Sequence, residues 1–442
     1  SGSYSVSTST SSGGSSDYGY TLIEGDDFLP EMFIGRISAN SSSDLSNIIN
    51  KTLVYEKATF IDITGTDWYE SSALVGDPSA TGNSAIITNE YVENMLNAYS
   101  FENIETCYVC SYPSWMENRL EEGILYFNYR GYIGTSGFNT SNISSASNGF
   151  MNPFVTFITC STGDFQQTSI TESFIRAGTV TNPKGAVAAV GTATSATHTV
   201  PNNIVDMGIY DGIFSKNLYT AGAALVNGKL SLYSTYSNNP GDMVYKFTHW
   251  NNLMGDPVLH LWTDSPLSMV VDFPEVINMG TDLVSINVLD EYGSPVVDAK
   301  VVIYINDENV YYAYTDQNGD ALIHCQNSIE TISTITVLKK NYIPFSSSIN
   351  IANQNMHLQL NSENMYYLDG EAQSGEIVQA YFNLYNHSDF NLENLEGYVT
   401  SQSEKMTILN GDFQIDSFSS STMTTVGPVQ IQIHNDMNDT DI

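Results

Sequence analysis

In the run Phe154-Val155-Thr156-Phe157-Ile158-Thr159-Cys160-Ser161-Thr162-Gly163-Asp164-Phe165, a cysteine ends a buried-looking apolar stretch and is followed by a turn of small residues. A helical pattern begins soon after. A thiol at such a strand end lies at the carboxyl edge of a sheet. There the following backbone amides, Ser161 and Gly163 among them, and a helix N-terminus lower its pKa and can stabilise a tetrahedral oxyanion. That chemistry is nucleophilic attack on a carbonyl. The other reading is a free cysteine packed as a small hydrophobe, and position alone leaves both open.

A nucleophilic thiol needs a base, and the chain has only seven histidines. His249, His260, His324, His357, His387 and His434 fall in the closing part of the α/β region or beyond it. His198 differs: the strand pattern Ala186 to Val190 runs into a loop that carries it at the same sheet edge as Cys160. The alternative for His198 is a polar loop residue bonding its own backbone. Glu31 and Asp27 are candidate carboxylates to fix the tautomer of an imidazole base. Cys107-Tyr108-Val109-Cys110 has redox or zinc spacing, but no second pair or histidine cluster follows it, so a structural role is expected. No cofactor is required by this set. The Gly25-Asp26-Asp27 turn leaves Asp26 and Asp27 as candidate ligands for structural calcium.

The elements that must position these groups alternate. Strand-like runs are expected at Phe33 to Ile37, Phe60 to Thr64, Ile104 to Val109, Ile124 to Tyr129, Phe154 to Thr159 and Ala186 to Val190. Between and after them, helical spacing appears at Asp44 to Glu56, from Thr88, at Trp115 to Leu120, Ile170 to Ala177, Ile204 to Phe214 and Gly222 to Tyr233. Such alternation implies an α/β fold with a mostly parallel sheet covered by helices on both faces, and a site beyond the strands' carboxyl ends. Near Trp262 to Pro266 helical periodicity stops and short alternating runs take over, as in antiparallel β-sandwiches. The expected organisation is a low-complexity linker over residues 1–20, an α/β domain over 21–264, a first β-sandwich over 265–352 and a second over 353–442. Within the first sandwich, Thr315-Asp316-Gln317-Asn318-Gly319-Asp320 reads as an Asn-Gly hairpin turn. The twelfth-position Glu of a calcium loop is missing.

Composition excludes several classes. With 49 acidic against 14 basic residues the formal charge is −35, so phosphate-backbone binding has almost no electrostatic support, and no nucleic-acid partner is expected. Anionic membranes are disfavoured for the same reason. No stretch of eighteen apolar residues suggests a membrane span, and the opening residues show no signal peptide. A mature secreted chain would show none either. The acidic, Ser/Thr/Asn/Tyr-rich composition therefore favours an extracellular location, with the excess charge serving solvation.

Beyond Cys160 the sequence resembles the gingipain family of cysteine peptidases. Phe33-Ile34-Gly35-Arg36 looks like the family's opening strand, Asn128-Tyr129-Arg130-Gly131 like the strand that leads to the catalytic histidine, and Cys160 to Phe165 like the nucleophile turn. Trp250-Asn251-Asn252-Leu253-Met254-Gly255-Asp256-Pro257 looks like its closing segment. The resemblance implies a caspase-like α/β domain, an immunoglobulin-like first sandwich, protein or peptide substrates, and hydrolysis through a Cys160 thioester. It also implies that Gly131 belongs to the oxyanion turn. Where the family has Gly-His-Gly this chain has Gly131-Tyr132-Ile133-Gly134, and a phenol with a pKa near 10 hardly accepts a thiol proton at neutral pH. A divergent branch is similar again, with Asn-Tyr-Arg-Gly lacking the histidine and a His-Thr ahead of paired Asn, here His198-Thr199 and Asn202-Asn203. Family domains carry a further α/β half before the opening strand. The implied partners therefore include that half as a separate piece, or other cell-surface proteins. Two functions stand: a secreted cysteine endopeptidase, or an inactive surface protein that keeps the fold for assembly or adhesion.

Overall fold

The computed structural model describes residues 4–6, 14–27, 29–99, 101–195, 197–238, 243–278, 281, 283–305, 309–325, 331–352, 358–367, 373–388, 390–401 and 403–436. The chain divides into two compact units, Ser1–Leu267 and Ser268–Ile442.

The first unit is built on six strands: β1 (Ser71–Gly76), β2 (Asn103–Cys107), β3 (Tyr126–Arg130), β4 (Phe154–Phe157), β5 (Ala188–Thr192) and β6 (Asn251–Met254). Their order is β6-β5-β4-β3-β1-β2, and every neighbouring pair is parallel except β5 and β6. Every residue of β1, β3, β4 and β5 is buried, as a parallel sheet covered on both faces requires. The order reverses between β1 and β3. Their carboxyl ends, at Gly76 and Arg130, therefore flank a topological switch point, the crevice where open α/β sheets bind ligands.

Local chemistry departs from the sequence expectations in several places. β1 begins Ser-Ser and carries only three apolar side chains, so its hydrophobic signal is short, yet it is central. The expected strand at Phe60 to Thr64 is instead a one-turn helix, Ile61–Thr64, stopped by Gly65 at φ +71°. The expected strand at Phe33 to Ile37 reduces to a single bridge between Arg36 and Met254. Gly35 lies so close to the Gly255 carbonyl that a Cβ would come within 2.4 Å of its oxygen. The Ser/Gly-rich opening, expected as linker, packs onto the unit from Gly14: Ser15, Ser16 and Tyr18 are buried. Ser15 Oγ donates to Asp164 at 3.0 Å, Asn252 donates to Ser15 O at 2.9 Å, and Arg36 pairs with Asp17 at 2.6 Å. Residues 7–13 of that opening lie outside the described residues. Among the described residues no helix is long and apolar enough to cross a membrane.

The second unit holds two β-sandwich cores. In the first, a three-stranded sheet of β7 (Met269–Asp272), β9 (Leu283–Asp290) and β12 (Asp320–His324) faces a five-stranded sheet. The latter contains β8 (Val276–Asn278), β10 (Lys300–Ile305), β11 (Asn309–Tyr314), β13 (Thr331–Leu338) and β14 (Phe345–Ala352). Val284, Ile286, Val301, Ile303, Ile335 and Ile349 meet between them. The turn at 315–319 is closed by its own hydrogen bonds: Asp316 accepts from the Asn318 and Asp320 amides, and Gly319 sits at φ +81°. It is not a hairpin, because β11 pairs with β10 and β12 pairs with β9, so the turn carries the chain from one sheet to the other. The second core, with Ala380, Phe382, Leu384, Phe418 and Val429, lies between a four-stranded and a two-stranded sheet over residues 358–433.

Two outcomes follow from this packing. Residues 268–442 bury cores of their own and should unfold cooperatively when produced alone, as read by a thermal melt in circular dichroism; a featureless melt would contradict the division. His249 is buried against Tyr18 and Tyr245, and desolvation lowers its pKa to about 4 from 6.5. A depressed folded value stabilises the fold above the unfolded value and is lost as pH falls through about 4. Denaturant melts between pH 6.5 and 4 should thus show a loss of roughly 2–3 kcal/mol that His249→Asn removes.

Candidate active site

Cys160 follows β4 after Ile158 and Thr159, and it is 5% exposed. A parallel bridge joins its backbone to Ile133, so the Gly131-Tyr132-Ile133-Gly134 turn after β3 runs beside it. Thr159 Oγ1 donates to Gly134 O at 2.8 Å and fixes the same pair of turns. On its other side, Cys160 Sγ lies 2.9 Å from Thr197 Oγ1. Asn202 donates to that hydroxyl oxygen at 3.2 Å, which leaves the Thr197 proton free to point at sulfur.

His198 is the residue after Thr197 and the N-cap of the helix Thr199–Tyr210, which starts five residues earlier than its apolar periodicity suggests. Its ring is exposed, and Nδ1 accepts the Val200 amide at 3.3 Å. An accepting Nδ1 puts the proton of the neutral ring on Nε2. In this conformation, then, the imidazole caps a helix. To act as a base it must leave that bond. The remaining sequence candidates are dispersed. Tyr132 is 56% exposed on the turn beside Cys160. The Glu31 carboxylate accepts the Ile23 amide at 2.7 Å and Asp27 accepts the Leu29 amide at 2.8 Å, so both close the loop that holds them instead of orienting an imidazole. Among the described residues no three His, Cys, Asp or Glu side chains gather to hold a metal ion, so Asp26 and Asp27 gain no third such ligand there. Cys107 and Cys110 form a disulfide that closes the turn after β2.

The oxyanion expectation needs correction for two amides. Ser161 N–H donates to Thr194 O at 3.0 Å and Gly163 N–H to Thr192 O at 3.0 Å, so neither is open to a substrate oxygen. Their function is to tie the nucleophile turn to the segment after β5. Gly163 has to be glycine, since a Cβ would lie 2.5 Å from the Gly191 carbonyl carbon. Gly131 is similar, with the Tyr129 hydroxyl 2.5 Å from where its Cβ would be. Ser161 adopts φ +63°, a left-handed conformation that strains a non-glycine residue immediately after the nucleophile.

Beneath the thiol lies a buried polar network absent from the sequence reading. Arg130, at the end of β3, is fully buried and donates through Nε and Nη2 to Asn203 Oδ1 at 2.9 and 2.5 Å and through Nη2 to Thr199 O at 3.3 Å. Asn128 donates to Asp206 at 2.9 Å and to Asn89 at 3.2 Å and accepts from Thr156, whose hydroxyl also meets Tyr210. Burial raises Asp206 to about 7 against the opposing pull of Arg130 and Asn128. Burial likewise lowers Arg130, with Asp206, Tyr129 and Cys160 acting in the other direction. One signal for this network was available: Asn202, Asn203 and Asp206 recur at helical spacing on an otherwise apolar helix.

A parallel sheet with a cysteine in a tight turn at its carboxyl edge, beside the switch point, defines the caspase-like class of cysteine peptidase folds. The sequence model of peptidase family C25 matches residues 3–262, and the chain belongs to that family, the gingipain-like cysteine peptidases. It is 28% identical to gingipain R1 of Porphyromonas gingivalis over 354 residues, covering 76% of this chain and 34% of that relative. It is 23% identical over 376 residues to Lys-gingipain W83 of the same organism, covering 20% of that protein. The chain thus spans about a third or less of these curated relatives. The crystal structure of the Arg-specific cysteine proteinase gingipain R superposes with a TM-score of 0.67 at 25% identity, covering 76% of this chain and 79% of the other.

Gly163→Ala should destabilise the first unit by about 1–3 kcal/mol, because the added methyl meets backbone that cannot swing aside. Ser161→Gly should stabilise it by up to about 1 kcal/mol by relieving the left-handed strain. Chemical denaturation of the two variants checks both signs.

Proposed function

We propose that the chain is a cysteine endopeptidase that cleaves protein substrates through a Cys160 thioester, working outside the cell. The observation that carries this reading is the 2.9 Å contact between Cys160 Sγ and Thr197 Oγ1, since it holds the residue preceding His198 against the thiol. In the proposed reaction the imidazole turns off the Val200 amide, at a cost of about 1 kcal/mol for the lost cap, and takes the thiol proton. Sulfur attacks the peptide carbonyl, the C–N bond breaks, and the leaving amine takes the proton from the imidazolium. Water, losing its proton to the same imidazole, then hydrolyses the thioester. The Cys107–Cys110 disulfide and the acidic composition support an oxidising, extracellular setting.

One observation favours the second reading, a non-catalytic surface protein. Tyr132 occupies the position of the family's histidine, and among the described residues Cys160 is hydrogen-bonded to Thr197 and to no imidazole. A library of fluorogenic peptides, read out by mass spectrometry, separates the two. The expected result is cleavage that Cys160→Ala abolishes and His198→Ala reduces by about a hundredfold or more, the usual share of a general base. Tyr132→Phe should change turnover only modestly. Cleavage that survives Cys160→Ala would rule out the Cys160 thioester, and no cleavage by the unmodified chain would leave the structural reading.

A further inference from the structure

Arg130 is the buried group that the proposed chemistry has not used. It is taken wholly out of water, and no carboxylate lies within salt-bridge distance of it among the described residues. Nε and Nη2 are satisfied by Asn203 and Thr199, while Nη1 is buried without a hydrogen-bond partner, as are Asp206 Oδ1 and Asn202 Oδ1. A buried cation with a free donor is costly unless a negative charge offsets it.

The backbone sets Cys160 beside the turn that follows this cation. β3 and β4 are parallel neighbours, with Tyr129 opposite Phe157, and the bridge from Ile133 to Cys160 continues the pairing past both strand ends. The seven-residue segment from Thr197 to Asn203 touches both groups. Thr197 meets the sulfur, Asn202 holds Thr197, and Thr199 and Asn203 hold the guanidinium.

We propose that Arg130 is a positioning residue for Cys160: it fixes the first turn of the helix Thr199–Tyr210 so that Thr197 meets the sulfur, and its permanent charge stabilises the thiolate. The inference deepens the peptidase reading and shares its nucleophile. When the thiol ionises, its proton leaves to a base or to water, and the negative charge left on sulfur stands in the field of a guanidinium that does not titrate in the working range. The charged and titratable groups facing Arg130 are Asp206 from the helix, Tyr129 from its own strand and Cys160 from the nucleophile turn. Tyr210 faces Asp206, and Asp77 faces Tyr129. Asp206 opposes the effect. As it ionises near pH 7 it competes with sulfur for the same cation.

The test is the ultraviolet absorbance of the Cys160 thiolate as a function of pH, taken as the difference between the full chain and its Cys160→Ser variant. It requires no peptide cleavage, so a silent peptidase would not affect it. Arg130→Met should raise the midpoint by about one pH unit or more, the usual effect of removing a nearby opposite charge. Arg130→Lys should recover part of the shift. Asp206→Asn should lower the midpoint, a sign that loosened packing would not produce. An unchanged midpoint in folded Arg130→Met overturns the proposal. If that variant does not fold, Arg130→Lys decides, since it keeps a charge but cannot hold Asn203 and Thr199 in the same fork: a partly raised midpoint supports the proposal, and an unchanged one overturns it.

Discussion

Taking a guanidinium fully out of water costs several kcal/mol unless fixed dipoles and a nearby anion replace its hydration, and the first unit is organised around meeting that demand at Arg130. Asn203 and the Thr199 carbonyl come from one helix, Asp206 from its next turn, and Asn128 from two residues earlier on the same strand. Asn203 also reaches Ser84 O at 3.4 Å, and Asn128 reaches Asn89, so the helix Asn83–Asn97 is tied into the same network. Apolar packing is non-directional and would tolerate small rotations of these helices over the sheet. Hydrogen bonds to a planar, fully buried cation would not. The network therefore gives the switch-point crevice a defined shape on its helix-covered side.

That rigidity has a chemical consequence at the neighbouring turn. The Ser161 and Gly163 amides are used to join the nucleophile turn to the segment after β5, and Thr197 is held between sulfur and Asn202. What stays free to move is the exposed His198 ring, restrained by a single 3.3 Å bond to the Val200 amide. The thiol is thus held by Thr197 while the neighbouring imidazole caps the helix that follows.

The sequence carried the fold at the level of alternation. Strands rich in Val, Ile, Phe and Ala were legible, and the change near Trp262 to an antiparallel pattern was visible in periodicity. β1 was not, because Ser71 and Ser72 mask a strand that is buried by its neighbours and not by its own hydrophobicity. The turn at 315–319 was legible as a turn but not as a link between sheets, since Asn-Gly specifies local backbone geometry and says nothing of which strands pair beyond it. Cys160 could be found from its place at a strand end. Thr197 and Arg130 could not, because a threonine at a sulfur and an arginine without a carboxylate are created by tertiary proximity and leave no spacing to read.

The scarcity of basic residues makes their placement informative. All four arginines, Arg36, Arg119, Arg130 and Arg176, lie in the first unit, and each joins segments distant in sequence. Arg36 binds Asp17 and stacks over Phe165 at 4.0 Å, fastening the opening segment to the nucleophile turn. Arg176 joins Glu172 to Ser38, and Arg119 spans Glu105 and Glu122. Lys51 is buried too, donating to the carbonyls of Phe174, Ala177 and Lys184. The 49 acidic residues still outnumber the 14 basic ones by 35. On the proposal made above, the fixed charge of Arg130 would offset a charge on the Cys160 sulfur against this surplus of carboxylates.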